Sequence, residues 1–213
     1  MKTDELISLL ARDAAPVKSS TLPRRLSALA LAGGFAALVM MIPAIGFRPD
    51  LPGALADPSF WMKAVYTVGL SAAGFLLSER LSRPGGGSRP GWTIAAGCAA
   101  AIVALAIIQL ATMPPAEVPA AIMGGSWDTC PWLIFALALP GLAATLRAMR
   151  GFAPTRTALA GAAAGLLAGG VSATVYGLHC DENAAAFVAV WYSLGIGMTA
   201  VAGAILGPRV LRW

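Results

Sequence analysis

What this chain has least of is charge. Of its 213 residues only 12% are Asp, Glu, Lys or Arg, while 58% are hydrophobic and the mean hydropathy is +0.74. A water-soluble domain carries about 25% charged residues. The shortfall is too large for a surface that faces water, so the composition excludes an ordinary soluble domain and describes an integral membrane protein. Catalytic signatures are missing as well: there is no GxSxG, no Walker A loop, no HExxH and no pair of carboxylates where a cleft is expected. Nothing in the sequence supports an enzyme, and no cofactor is implied. Cysteine occurs three times and histidine once, with no CxxC, which weakens a thioredoxin-type reading.

Charge is also absent from the places where a transporter needs it. No ionisable residue lies at the centre of any apolar run, where Gln109 and scattered Ser and Thr are the most polar groups. Pumps and ion-coupled transporters usually carry intramembrane charges, so that class is disfavoured. A net charge of +5 and a pI near 9.6 would suit a nucleic-acid binder. The basic residues, however, sit in small groups beside apolar runs, which is the footprint of topology and not of a phosphate-binding face. No direct contact with nucleic acid is expected.

What the chain does have is apolar length. Six runs, 26–46, 60–78, 92–112, 132–149, 157–178 and 184–206, are each long enough to cross about 30 Å of hydrocarbon at about 1.5 Å per residue. Lys2, Arg12, Lys18, Arg24 and Arg25 precede the first run; Arg80, Arg83 and Arg89 lie between the second and third. Arg147, Arg150 and Arg156 lie between the fourth and fifth, and Arg209 and Arg212 follow the sixth. All but Arg48 and Lys63 of the 15 basic residues thus fall on one side. By the positive-inside rule both termini are cytoplasmic. The expected fold is all-α: a multi-pass integral membrane protein with six transmembrane helices and a short amphipathic helix at its cytoplasmic N-terminus. Pro23–Leu26 faintly resembles a twin-arginine signal, but the run that follows is too long for a signal h-region and five more come after it; the first span is expected to remain uncleaved. The outer loops are short and proline-rich, and 83–90 (RPGGGSRP) reads as a flexible inner turn.

Within the spans, Gly161, Gly165 and Gly169 form GxxxGxxxG, and Gly195, Thr199, Gly203 and Gly207 continue small-xxx-small spacing in the sixth. Small residues let helix backbones approach, so spans five and six are expected to pack closely. Pro43 and Pro140 can kink spans one and four.

Residues 1–23 form the one sizeable polar segment, set apart from a membrane domain over 24–213. Thr3 can cap a helix whose first turn holds Asp4 and Glu5. Leu6, Leu9 and Leu10 share a face, with Ile7 beside them, on a helix that ends before Pro16. So short a helix is marginal alone and is expected to fold against a partner; Val17–Pro23 reads as a linker.

Two polar breaks interrupt the apolar chain on the side opposite the N-terminus: Ser126–Trp132 (SWDTCPW) and His179–Glu182 (HCDE). Cys98 lies in an Ala-rich run and reads as a buried structural thiol. Cys130 and Cys180 stand at outer span boundaries, where an oxidising compartment permits disulfides. Three readings stay open: a structural disulfide, a redox- or metal-responsive pair, and two unrelated thiols. His179, Asp181 and Glu182 could complete a soft-metal site with the two sulfurs, although the spacing matches no closed zinc pattern.

The opening Thr3–Ala14 (TDELISLLARDA) followed by Pro16-Val17, taken together with Cys130 and Cys180, resembles the NrsF family of bacterial six-span inner-membrane anti-sigma factors. The resemblance implies that the N-terminal segment holds an extracytoplasmic-function sigma factor at the membrane. It further implies that a periplasmic cysteine pair responds to oxidants or heavy metals and that the sigma factor is then released to transcribe stress genes. Carried onto this chain, Leu6, Ile7, Leu9 and Leu10 become the sigma-binding stripe and Cys130 and Cys180 the sensor. The alternative from another class is a membrane thiol oxidoreductase using the same cysteines. The particular sigma factor, the stimulus and the oligomeric state are not set by these residues.

Overall fold

The six apolar runs are six long helices in the computed structural model, which describes residues 3, 5, 7, 8, 21–83, 87–152 and 154–212. They are Thr21–Ala44 (α1), Pro58–Leu81 (α2), Arg89–Thr112 (α3), Cys130–Met149 (α4), Thr157–Tyr176 (α5) and Ala185–Val210 (α6). All six are long and apolar enough to cross a membrane, and every regular element among the described residues is helical. Short helices at Leu51–Ala54 and Val118–Met123 punctuate two of the loops.

Helix ends follow local chemistry. Asp57 caps α2 by accepting the Ser59 N–H at 2.8 Å, with Pro58 in the first turn; that backbone hydrogen bond holds the Asp57 carboxyl below its ordinary range. α1 ends at Ala44, just past Pro43, and the chain turns at Gly46, whose φ of 73° favours glycine. Most boundaries differ by a few residues from the sequence reading, three of them at proline-containing helix starts. Thr21–Pro23, expected in a linker, begin α1, because a proline in the first turn lacks only an N–H that has no intrahelical partner anyway. Arg89 and Pro90, expected in the inner turn, begin α3 for the same reason. Cys130 and Pro131, expected at the boundary just before the fourth span, open α4. Of the N-terminal stripe, Ile7 is helical and 60% exposed, and Ser8 Oγ donates to the Glu5 carbonyl at 2.9 Å. Leu6, Leu9 and Leu10 lie outside the described residues.

α5 is the central helix, packed against α6, α2, α4 and α1, while α3 sits at the edge on α2 and the start of α6. Its Ala and Gly content is the reason it can occupy the centre. A methyl at Gly161 or Gly165 would overlap the backbone of Gly203 or Thr199, and one at Gly207 would overlap Thr157. The expected close pairing of spans five and six is therefore present. Large apolar side chains point outward instead, among them Leu31, Phe35, Val65, Ile107, Ile108 and Val201. α3 stands off from its neighbours and leaves a groove of about 440 Å³ beside Trp61, Tyr66 and Cys98. Cys98, expected to be buried, is half-buried there.

The interior divides into two clusters. One, at the end where α1 terminates, gathers Met41, Ile134, Tyr176, Phe187, Tyr192 and both Cys130 and Cys180. The other, at the end where α1 begins, gathers Leu22, Leu26, Leu81, Leu142, Leu146 and Met149. Arginines 24, 25, 80, 83, 89, 147, 150, 156, 209 and 212 belong to the helix ends and loops of that second pole. Arg48 and Lys63 lie at the first.

Candidate functional site: a sealed thiol chamber

The two cysteines come from different helix ends. A turn through Ser126, whose carbonyl accepts the N–H groups of Thr129 at 3.3 Å and Cys130 at 2.9 Å, makes Cys130 the first residue of α4. Tyr176 is the last residue of α5, and its carbonyl accepts from His179 at 2.9 Å and Cys180 at 3.0 Å. That turn folds Cys180 back over the end of α5 and brings it into the same cluster as Cys130. Both thiols are unbonded, and they are 0% and 3% exposed respectively. The pair expected at a water-facing boundary is in fact enclosed.

Two tyrosines wall the chamber. The Tyr176 hydroxyl lies against the Cys130 thiol and the Ser126 hydroxyl. The Tyr192 hydroxyl lies against Cys180. Their rings meet with centroids 5.8 Å apart. The hydroxyls of Tyr192 and Ser126 are buried with no protein hydrogen bond of good geometry, a costly arrangement for polar groups. Tyr192 ends a π-helical turn, Val188–Tyr192, inside α6. Such turns insert a residue into an α-helix and recur at functional sites. The same turn aims Trp191 the other way: its Nε1 donates to the Ile122 carbonyl at 2.8 Å and its ring packs on Trp127 at 5.4 Å. Gln109, the lone amide inside the third span, accepts the Ala186 N–H at 3.2 Å and fixes the start of α6.

The two basic residues that broke the charge pattern both hold the Cys180 segment. Lys63, 2% exposed, donates to the carbonyls of Cys180 at 2.9 Å and Glu182 at 2.6 Å. Arg48, 5% exposed, donates from Nη1 to the same Cys180 carbonyl at 3.3 Å. Its Nε and Nη2 grip Asp50 in a fork with both contacts at 2.7 Å. This fork raises the Arg48 pKa and lowers that of Asp50. Glu182 then links the two cysteine loops, its Oε1 accepting the Gly125 N–H at 2.5 Å. Gly124 beside it has a φ of 56°, and a side chain there would collide with the Glu182 carboxylate.

His179 is turned toward another partner, its Nδ1 lying 3.0 Å from the Gly46 carbonyl. Among the described residues no group of three or more His, Cys, Asp or Glu side chains gathers to hold a metal ion. Sequence reasoning thus found the cysteines and missed Arg48, Lys63, Tyr176 and Tyr192. The signal for the two cations was visible as their exception to the positive-inside pattern. The tyrosines carry none, since a tyrosine at the end of an apolar run is ordinary.

The arrangement brings two thiols into one enclosed cluster, one at the start of α4 and one in the turn after α5. The NrsF family, described as "Negative regulator of sigma F", matches residues 10–213. The chain is 47% identical over 214 residues to a Caulobacter vibrioides protein named anti-sigma-F factor NrsF, with 100% of both chains covered. It is 42% identical over 216 residues to an Azospira oryzae protein named probable anti-sigma-F factor NrsF, again with 100% of both covered. No solved structure matches. A family match over nearly the whole chain, with two relatives of this likeness aligned end to end, establishes that the chain belongs to the NrsF family.

Proposed function

We propose that this protein is an anti-sigma factor of the bacterial inner membrane that holds an extracytoplasmic-function sigma factor through residues 1–23 and releases it when Cys130 and Cys180 meet oxidant or a heavy metal. The observation that carries the role is full-length identity to relatives named anti-sigma-F factors. The shared chamber of the two cysteines supports the sensing half. Six apolar helices with their arginines gathered at one pole support a six-span topology with both termini in the cytoplasm. Leu6, Ile7, Leu9 and Leu10 form the sigma-binding stripe. A marginal amphipathic helix gains order by laying its apolar face in a partner's groove, and tethering at the membrane keeps the sigma factor from DNA without any catalysis.

The test is a detergent pull-down of the full chain beside a form lacking residues 1–15, with bound proteins identified by mass spectrometry, repeated in Cys130→Ser and Cys180→Ser. A sigma factor is expected with the full chain and both serine variants and not with the truncated form. Adding a thiol oxidant should release it from the full chain alone. Retention by the truncated form, or no sigma factor in any sample, sinks the proposal. In the latter case, mixed disulfides trapped on either serine variant would favour an oxidoreductase.

A further inference from the structure

We propose that α1 and α4 act as two levers crossing at Gly33 and Gly141, with Arg48 tying α1 to Cys180, so that a change in the thiol pair is delivered to the N-terminal segment. The proposal deepens the sensor reading above and rests on it. It supplies what that reading lacks, a physical route from one pole of the bundle to the other.

Each lever is fastened to one cysteine. Cys130 is the first residue of α4, so α4 moves with it. Cys180 lies far from α1 in sequence, yet the strap after α1 is bonded to the Cys180 turn three times. The Arg48 N–H donates to the Leu178 carbonyl at 3.1 Å, Arg48 Nη1 donates to the Cys180 carbonyl at 3.3 Å, and His179 Nδ1 meets the Gly46 carbonyl at 3.0 Å. Asp50 holds the guanidinium in that position. Of the three bonds, only Arg48 Nη1 reaches Cys180 itself.

The crossing has no side chains in the way. A Cβ on Gly33 would stand 3.1 Å from the Gly141 Cα, tighter than ordinary contact, so the two helix backbones touch there. A small void lined by Gly33, Leu137, Gly141 and Val171 adjoins the contact. Pro140, which cannot donate the helical hydrogen bond, immediately precedes it in α4. A backbone-to-backbone contact with an adjacent void and a weakened helix turn is where two rods can change angle at least cost.

Beyond the crossing the levers meet again. Leu22 and Leu26 of α1 pack with Leu142, Leu146 and Met149 of α4, and Thr21, next along, is where the N-terminal segment joins α1. An α-helix of 24 residues is about 36 Å long at about 1.5 Å per residue. An angular change at the cysteine pole is therefore read at the far pole as displacement of the segment's anchor.

The test uses the full chain in detergent, without a partner, treated with diamide. Diamide accepts two electrons and two protons from the two thiols, becoming its hydrazine as the Cys130–Cys180 disulfide forms. Thiol loss is followed by gel shift with maleimide-polyethylene glycol, and hydrogen exchange by mass spectrometry. In the unmodified chain, oxidation is expected to change exchange over residues 21–27 by about five-fold or more, the lower end of ordinary coupling between sites. Arg48→Met removes only the bond to Cys180 itself, so it should lose its thiols to the same extent and show a clearly smaller change, with Arg48→Lys intermediate. Asp50→Asn, which loosens the guanidinium without removing it, serves if Arg48→Met fails to fold and should weaken the effect. The proposal is overturned by an unaltered response in Arg48→Met or Asp50→Asn, by no change in the oxidised unmodified chain, or by failure of the two thiols to join. A chain that transmits the change yet keeps its sigma factor in the pull-down would overturn the release reading and leave the levers standing.

Discussion

Lys63 binds two carbonyl oxygens at 2.9 and 2.6 Å, with no carboxylate paired to it among the described residues, while 2% exposed. A buried ammonium so placed is kept for what it holds. Lys63→Met preserves the stem and removes the donors, leaving the Glu182 carbonyl without its lysine; the variant is expected to lose about 1–3 kcal/mol, measured as a lower thermal midpoint in detergent. An unchanged midpoint would mean that water replaces the ammonium freely and that the clamp is unimportant to stability. The same residue marks a limit of reading sequence. Hydropathy and charge counting single out Arg48 and Lys63 as exceptions, but their partner lies 132 and 117 positions away, and nothing local to either residue names it. The cysteines were legible because each interrupts an apolar chain. Their burial was not, because a boundary residue faces water or protein according to how neighbouring helices close over it.

At the scale of elements the six helices were legible and their ends less so, since prolines in the first turn extend α1, α3 and α4 beyond the purely apolar residues. The π-turn at Val188–Tyr192 was invisible: VAVWY has no composition that distinguishes i→i+5 bonding from an ordinary helix. The small-residue spacing in spans five and six was the clearest packing signal, and it gives a controlled comparison. Gly165→Ala places a methyl against the Thr199 carbonyl and Ala200 backbone and should cost about 1–3 kcal/mol by overpacking. Gly197→Ala, in the same helix pair, meets nothing within 4 Å and should stabilise by about 0.5–1 kcal/mol through helix propensity alone. Equal melting shifts for the two would contradict the α5–α6 interface described above.

The whole molecule is a bundle with an enclosed thiol chamber at one pole and most of its arginines at the other. Enclosure of Cys130 and Cys180 predicts that a charged maleimide, applied to the native protein in detergent, modifies at most Cys98, whereas all three cysteines react after denaturation. Rapid native labelling of Cys130 would mean that the chamber is open to water. The chamber's long-range construction also has a temporal consequence. Lys63 is made 117 residues before the Cys180 carbonyl it binds, and a ribosome adding about 5–20 residues per second needs roughly 6–23 s to cover that distance. For that time its ammonium must stay hydrated or borrow partners. The chamber is thus a late part of the chain to close during synthesis, and a nascent protein cut short before Cys180 carries an unmatched lysine where a finished one carries a lock.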